Sequence, residues 1–119
     1  MDGKRTRIEA YSFGRIVIAG REYTSDVIIY PDGRVQGSWW RASGHRLSLA
    51  DIGGLVGSRP DVIVAGTGSS GMMVPDKELA DRLRERGIVL ESMPTADAVE
   101  RYNRVAVDRR AGACLHLTC

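Results

Sequence analysis

Asp61-Val62-Ile63-Val64-Ala65-Gly66-Thr67-Gly68-Ser69-Ser70-Gly71 is the stretch on which the fold of this chain turns. Val62 to Ala65 is a short unbroken apolar run. That is the pattern of a strand buried on both faces, as in a parallel sheet covered by helices. A glycine-rich loop follows it directly. Downstream, Pro75 suits the first position of a helix, with Asp76 and Glu78 in the first turn, where they favour the dipole. Leu79 and Leu83 supply its inner face and Gly87 its stop. Ile88-Val89-Leu90 reads as the next strand. Pro94-Thr95 opens another helix, with Thr95 as N-cap and Asp97 in the first turn. Ala98, Val99, Tyr102 and Val105 or Ala106 form its inner face. Ala113 to Thr118 completes a β-α-β-α-β half.

The first half is mostly β. Ile8 to Phe13 and Arg15 to Ala19 read as strands joined at Gly14, with Glu22-Tyr23-Thr24 as a short continuation. Val27-Ile28-Ile29-Tyr30 runs into Pro31-Asp32-Gly33, which is turn chemistry, and Arg34 to Trp40 returns as the second arm of a hairpin. Ser48 with Asp51 makes a shortened capping box for a helix running to about Val56, with Gly57 as stop.

The chain has 119 residues, 43% apolar and 27% charged, which suits one globular domain with a core of its own. No composition shift separates the halves, so the expectation is one domain over residues 1–119, with 1–7 as a flexible tail. No apolar run is long enough to span a bilayer. The opening Met1-Asp2-Gly3-Lys4-Arg5 has no apolar core of a secretory signal, so a cytoplasmic protein with no membrane association is expected. A net charge of +2, with the basic residues scattered among acids, argues against nucleic acid; Lys4, Arg5 and Arg7 read as part of the solvated tail. Cys114 and Cys119 have one histidine between them, His116, and no second pair to complete a zinc site. No metal and no cofactor is expected, and both cysteines read as free thiols, Cys114 as core filler in a strand.

Gly66-Thr67-Gly68-Ser69-Ser70-Gly71 spells G-x-G-x-x-G, and Glu91 stands 20 residues beyond Gly71, near where a dinucleotide fold places its ribose-binding acid. Three features oppose that reading. The helix signal at Pro75 falls four residues past Gly71, the chain has no room for a second nucleotide-binding half, and Met72-Met73-Val74 extends the loop with apolar groups. A structural loop is favoured, with a small anion on its amides as the alternative. Ser69 and Ser70 lack the G-x-S-x-G spacing of a nucleophile elbow, which argues against a hydrolase.

Trp39 and Trp40, adjacent on an expected strand, should face opposite sides, one into the core and one outward as an interface anchor. Arg41 and His45 flank Gly44 and are candidates to bring a cation and an imidazole to a pocket; the plainer reading pairs Arg41 with a carboxylate and leaves His45 on the surface. His116, between Leu115 and Leu117, points away from them and reads as a partly exposed or hydrogen-bonded structural histidine rather than a catalytic one. Tyr102 reads as core with a satisfied hydroxyl, and Asn103 as a helix residue bonded to a loop carbonyl.

Three ordered stretches together resemble one family: Trp39-Trp40-Arg41-Ala42-Ser43-Gly44-His45-Arg46-Leu47, Pro60 to Val74, and Thr95-x-x-Ala98-x-x-x-Tyr102-Asn103. They are similar to the small Mth-type domain of archaea and bacteria, also found in the adipogenesis-associated protein of animals and in a mitochondrial complex I assembly factor. The resemblance spans about Ile8 to the end. It implies an α/β fold of three layers around a mixed five-stranded sheet, one strand antiparallel to the rest, with extra β structure on one side. It brings no established catalytic activity and makes the glycine loop a feature of non-dinucleotide proteins. Some relatives carry Cys where this chain has Val99, which sets thiol chemistry on that helix aside.

The function expected is a non-enzymatic interaction or assembly module with a protein partner or a second copy of itself, through Trp39 or Trp40. The alternative is a binder of a small anionic ligand, or an enzyme acting on one, built on Gly66, Thr67, Gly68, Ser69, Ser70 and Gly71 with Arg41 and His45. No catalytic residue is assigned.

Overall fold

A computed structural model describes residues 6–119. In chain order its elements are β1 (Ile8–Ser12), β2 (Arg15–Ile18), β3 (Arg21–Tyr23), β4 (Val27–Ile29), β5 (Val35–Gln36) and β6 (Arg46–Leu47). A 3-10 turn (Leu49–Ile52) leads into α1 (Gly53–Gly57). Then come β7 (Val62–Thr67), β8 (Val74–Pro75), α2 (Leu79–Glu85), β9 (Val89–Met93), α3 (Thr95–Val105) and β10 (Ala111–His116). The central sheet has the order β5-β4-β10-β7-β9. β10, β7 and β9 are parallel, and β4 is antiparallel to β10 and to β5, so one strand opposes the other four. This is the α/β architecture expected.

Side-chain alternation along the central strands divides the core in two, because successive residues of a strand point to opposite faces. Val27, Ile29, Val62, Val64, Ala113 and Leu115 face a layer made of α3 and the three-stranded sheet β1-β2-β3, packing against Ile8, Ile16, Ile18, Ala98, Tyr102 and Val105. Ile28, Ile63, Ala65 and Cys114 face the other layer, packing against Trp39, Leu47, Ile52, Leu55, Met73, Leu79 and Leu83. β7 and β10 are buried along their whole lengths. Covering from both faces is what an unbroken apolar run requires. Burial pushes the Tyr102 phenol and the Cys114 thiol each up to about 12, so neither ionises in the folded state near neutrality.

Several local expectations change. The return arm of the hairpin shortens to Val35–Gln36, and Trp39 and Trp40 lie on no strand. Ser38 turns the chain with φ 54°, and Trp39 N–H then bonds Asp26 O at 2.9 Å instead of continuing a ladder. Pro75 does not open a helix. Val74 N–H and Asp76 N–H donate to His45 O and Leu47 O at 2.8 Å each, so β8 pairs with β6 and α2 begins only at Leu79. Thr95 is the first residue of α3 rather than its cap, and Pro94 holds the cap position. The last strand runs Ala111–His116, two residues earlier than read. Ser48 and Asp51 do form the capping box, with Ser48 N–H on Asp51 Oδ2 at 2.9 Å. Of the expected tail 1–7, residues 1–5 lie outside the described residues. Thr6 is buried and its hydroxyl donates to Gly33 O at 3.0 Å, while Arg7 O accepts Ala19 N–H at 2.9 Å, so both are tied to the body.

Candidate functional site

The carboxyl ends of β7, β10 and β9 stop side by side at Thr67, His116 and Met93. In open sheets that contain parallel strands this is the edge where ligands and partners usually meet the fold. β4 runs the other way, so its amino end arrives at the same edge and brings Asp26 beside His116. Asp26 stands just before Val27, which pairs with Leu115.

Asp26, Arg41 and His116 form a buried charged cluster there. Arg41 Nη1 donates to Asp26 Oδ2 at 2.9 Å, and Arg41 Nη2 donates to Gly44 O at 2.9 Å. His116 Nδ1 lies 2.8 Å from the same Asp26 Oδ2 and 3.2 Å from Arg41 Nη2. A carboxylate only accepts, so the shorter contact puts the Nδ1 proton toward Asp26. Leu117 N–H completes the Asp26 carboxylate at 2.8 Å on Oδ1. Burial alone would push the Asp26 pKa up. The Leu117 amide, His116 and Arg41 outweigh it and hold the carboxyl below its usual value. The Arg41 guanidinium stacks on Trp39, 4.7 Å from the ring centre, and Trp39 Nε1–H donates to Asp51 O at 2.9 Å. Arg41 is therefore the carboxylate-paired residue of the plainer reading. His45 is exposed, and the structure does not bring it into the cluster.

The glycine loop wraps the chain end. Ser69 N–H donates to Thr118 O at 2.8 Å, and Ser70 N–H and Met72 N–H donate to Cys119 O at 3.3 and 3.1 Å. Met73 N–H returns to Thr67 O at 3.0 Å. Gly68 N–H goes to Thr95 Oγ1 at 2.8 Å, and that hydroxyl donates onward to His116 O at 2.6 Å. One threonine thus staples three segments: the loop, the start of α3 and the end of β10. The loop glycines are needed for space. At Gly68, with φ +107°, a Cβ would stand 2.3 Å from the Cys119 carbonyl carbon; at Gly66 it would stand 2.8 Å from Thr95 Oγ1. The amides that the sequence offers to an anion are committed to Thr118, Cys119 and Thr95. Glu91, the residue at the ribose-acid spacing, is bound to Arg101 through two bonds of 2.6 and 3.1 Å. Thr67 is buried on the strand beside His116, while Ser69 and Ser70 are exposed, Ser69 beside the Tyr11 phenol.

The outer surface of this edge carries exposed apolar side chains among polar ones such as Ser69 and Ser70. Trp39 is 6% exposed and Trp40 77%, so the pair does divide between core and surface, although in a loop. Phe13, Met72 and Val74 are exposed as well. Each lies on a segment bonded into the same edge. Gly14 N–H, next to Phe13, donates to Leu117 O at 2.9 Å; Met72 N–H reaches Cys119 O; Met73 N–H, next to Val74, reaches Thr67 O at 3.0 Å.

Sequence reasoning named Arg41, His116 and the loop but missed Asp26, Thr95 as a tertiary staple, and Tyr11, whose phenol donates to Leu117 O at 3.0 Å. The available signal was an acid set directly before the wholly apolar Val27-Ile28-Ile29. A charge in that position must find a buried partner. Among the described residues no group of three or more His, Cys, Asp or Glu side chains is placed to hold a metal ion.

The fold and this edge define a small α/β domain with a mixed five-stranded sheet and a chain end clasped by a glycine loop. Residues 8–116 match the family model described as protein of unknown function (DUF498/DUF598), and the chain belongs to that family. It is an Mth-type domain, as its three sequence stretches imply. The solved structure of MT938 is 25% identical, with a TM-score of 0.81 over 96% of this chain and 99% of that one. A conserved hypothetical protein, PH1505 from Pyrococcus horikoshii OT3, is 26% identical, with a TM-score of 0.80 over 95% of this chain and 99% of that one. A Bartonella henselae protein described as an outer membrane protein is 28% identical, with a TM-score of 0.79 over 97% of each chain. In the present chain, among the described residues, no helix is long and apolar enough to cross a membrane.

Proposed function

We propose that this domain is a protein-interaction module that docks through the carboxyl edge of its sheet. The observation that carries the reading is the placement of Phe13, Trp40, Met72 and Val74. They are four of the six large apolar side chains left exposed among the described residues, and all four stand on segments bonded into that edge. Scattered apolar residues need no explanation, but a concentration around one rim marks an interaction surface. Trp is also the residue type most enriched among binding hot spots.

The buried cluster gives this rim rigidity. Arg41 is held by Asp26 and Gly44 O, and Trp39 by Asp51 O and Asp26 O. Trp40 lies between two fixed residues, so little backbone entropy remains to be lost when it docks. An anion on the loop amides would first have to displace residues 118–119 from Ser69, Ser70 and Met72, which is why the interaction reading is preferred to a small-ligand site. A cytoplasmic setting goes with this reading; cell fractionation tests it.

The direct test compares wild type with Trp40→Ser and Met72→Ser. Light scattering follows self-association, and quantitative capture from lysate follows other partners. The expected result is a species, a dimer or a captured protein, that both variants lose while their melting temperatures stay within a few degrees of wild type. A chain that is monomeric at high concentration and captures nothing that the variants fail to capture sinks the proposal.

A further inference from the structure

At the opposite, amino end of the parallel strands, α1 and α2 leave a groove between them. One lobe, ≈ 670 Å³, lies between Val56, Gly57, Arg59 and Pro60 on one side and Arg86 and Ile88 on the other. The adjoining lobe, ≈ 600 Å³, shares Val56, Gly57 and Arg86 and continues past Leu49 and Gly53 to Arg82. The floor of the second lobe is mostly apolar, while the first lobe, which Asp61 also lines, is more polar. A Cβ placed on Gly53 or Gly57 would meet nothing within 4 Å.

The rim is basic. Arg59, Arg82 and Arg86 are exposed and take part in no ion pair among the described residues. Arg15, Arg34, Arg41, Arg46, Arg84 and Arg101 each hold a carboxylate. Arg82 on α2 and Arg86 at its C-cap are four residues apart, a spacing at which like charges repel each other. Three acids border the groove. Asp61 lines the first lobe and accepts the Arg110 amide at 3.3 Å, while Asp76, paired with Arg46, and Glu78 line the smaller recess that shares Arg82. With Asp76 taken up by Arg46, three arginines face two acids, so the stretch between Arg82 and Arg59 keeps a net positive charge beside the apolar floor of the second lobe.

We propose that this groove binds an acidic amphipathic peptide segment of a partner protein. Its apolar side chains lie on Leu49, Val56 and the open faces of Gly53 and Gly57, and its carboxylates meet Arg59, Arg82 and Arg86. Arg59 lines one lobe, Arg82 the other and Arg86 both, which matches carboxylates spaced along a chain better than a single phosphate. A free anion would also leave the apolar floor uncovered. This site is separate from the apolar rim at the carboxyl edge, so either proposal stands or falls without the other.

The test uses a fluorescein-labelled peptide of repeating Leu-Glu-Glu-Leu units and the full chain, read by fluorescence anisotropy. Saturable binding in the range of about 1–100 μM is expected, weakening as salt rises. The double variant Arg82→Glu with Arg86→Glu should weaken it at least about tenfold. Gly57→Leu, whose Cβ would meet nothing within 4 Å and whose side chain would occupy the groove, should do the same, and Trp40→Ser should leave it unchanged. Circular dichroism checks that each variant remains folded. The proposal is overturned by any of three results: no binding at about 1 mM protein, equal binding by the folded charge-reversed variant, or equally tight binding of an all-glutamate peptide, which would make the groove a site for charge alone.

Discussion

At the carboxyl end of the parallel strands an arginine is buried, while at the amino end three are exposed. Arg41 is sunk against Trp39 and paired with Asp26, and the nearby backbone amides are taken up by the chain end. Arg59, Arg82 and Arg86 reach into solvent beside glycines with open space over them. The glycines differ in the same sense. Gly66 and Gly68 are glycine because protein fills the space where a Cβ would go; Gly53 and Gly57 have nothing there. The polar chemistry of the carboxyl edge is turned inward and works as structure, leaving apolar side chains to face outward. At the amino edge the charges face out over a bare floor. A motif rich in glycine or arginine therefore does not identify a binding site until the partners of its atoms are known.

The sharpest way to break this contrast is Gly68→Val. A Cβ there would overlap the Thr118–Cys119 backbone at an unfavourable φ. A loss of about 4 kcal/mol or outright failure to fold is expected in urea denaturation. A folded Gly68→Val with near-native stability would show that the chain end is not clasped as described. Arg41→Met comes next. It strands Asp26 and His116 in the interior, and removing one partner of a buried pair costs about 3–5 kcal/mol. A loss under about 1 kcal/mol would mean the cluster is solvated.

Thr95→Val removes both bonds of the staple, to Gly68 N–H and His116 O. Chemical denaturation should register a loss of about 1–3 kcal/mol, with Thr95→Ser recovering most of it. The fourth effect is a pH dependence. The folded pKa of Asp26 lies below its unfolded value. Its stabilisation is therefore complete above the unfolded pKa, about 3.9, and is lost as pH falls through the folded one. Asp26→Asn should flatten the acid limb of stability against pH below about 4; an unchanged limb would remove Asp26 from the account. The smallest effect belongs to the amino edge. Arg82→Ala and Arg86→Ala should each alter stability by no more than about 0.5 kcal/mol, because neither guanidinium holds a carboxylate. A large loss from either would give that groove a structural role.

Much of the architecture was legible locally. Val62 to Ala65 is apolar at every position, Leu79 and Leu83 share a helix face, and Ala98, Tyr102 and Val105 share another. Periodicity of this kind survives in any context. The capping box at Ser48 was legible for the same reason, since all its atoms lie within four residues. Asn103 was read as bonding a loop carbonyl. It bonds the Ile8 amide and carbonyl instead, at 2.9 and 2.8 Å, joining α3 to β1 across 95 positions. Pro75 misled because a proline that suits a first helical turn also suits a short strand, and only the distant carbonyls of His45 and Leu47 favour the strand.

The sequence by itself determined the α/β class, the alternating half of the chain, the two apolar faces of its central strands, and the presence of glycines and arginines in suggestive places. Those features rest on spacing along the chain. Tertiary structure alone decided which of those polar groups are spent. Asp26 and His116 are 90 positions apart, Arg41 and His116 are 75, and the loop amides meet carbonyls at the far end of the chain. A donor's fate depends on what lies opposite it once the sheet is assembled, and no local pattern carries that information.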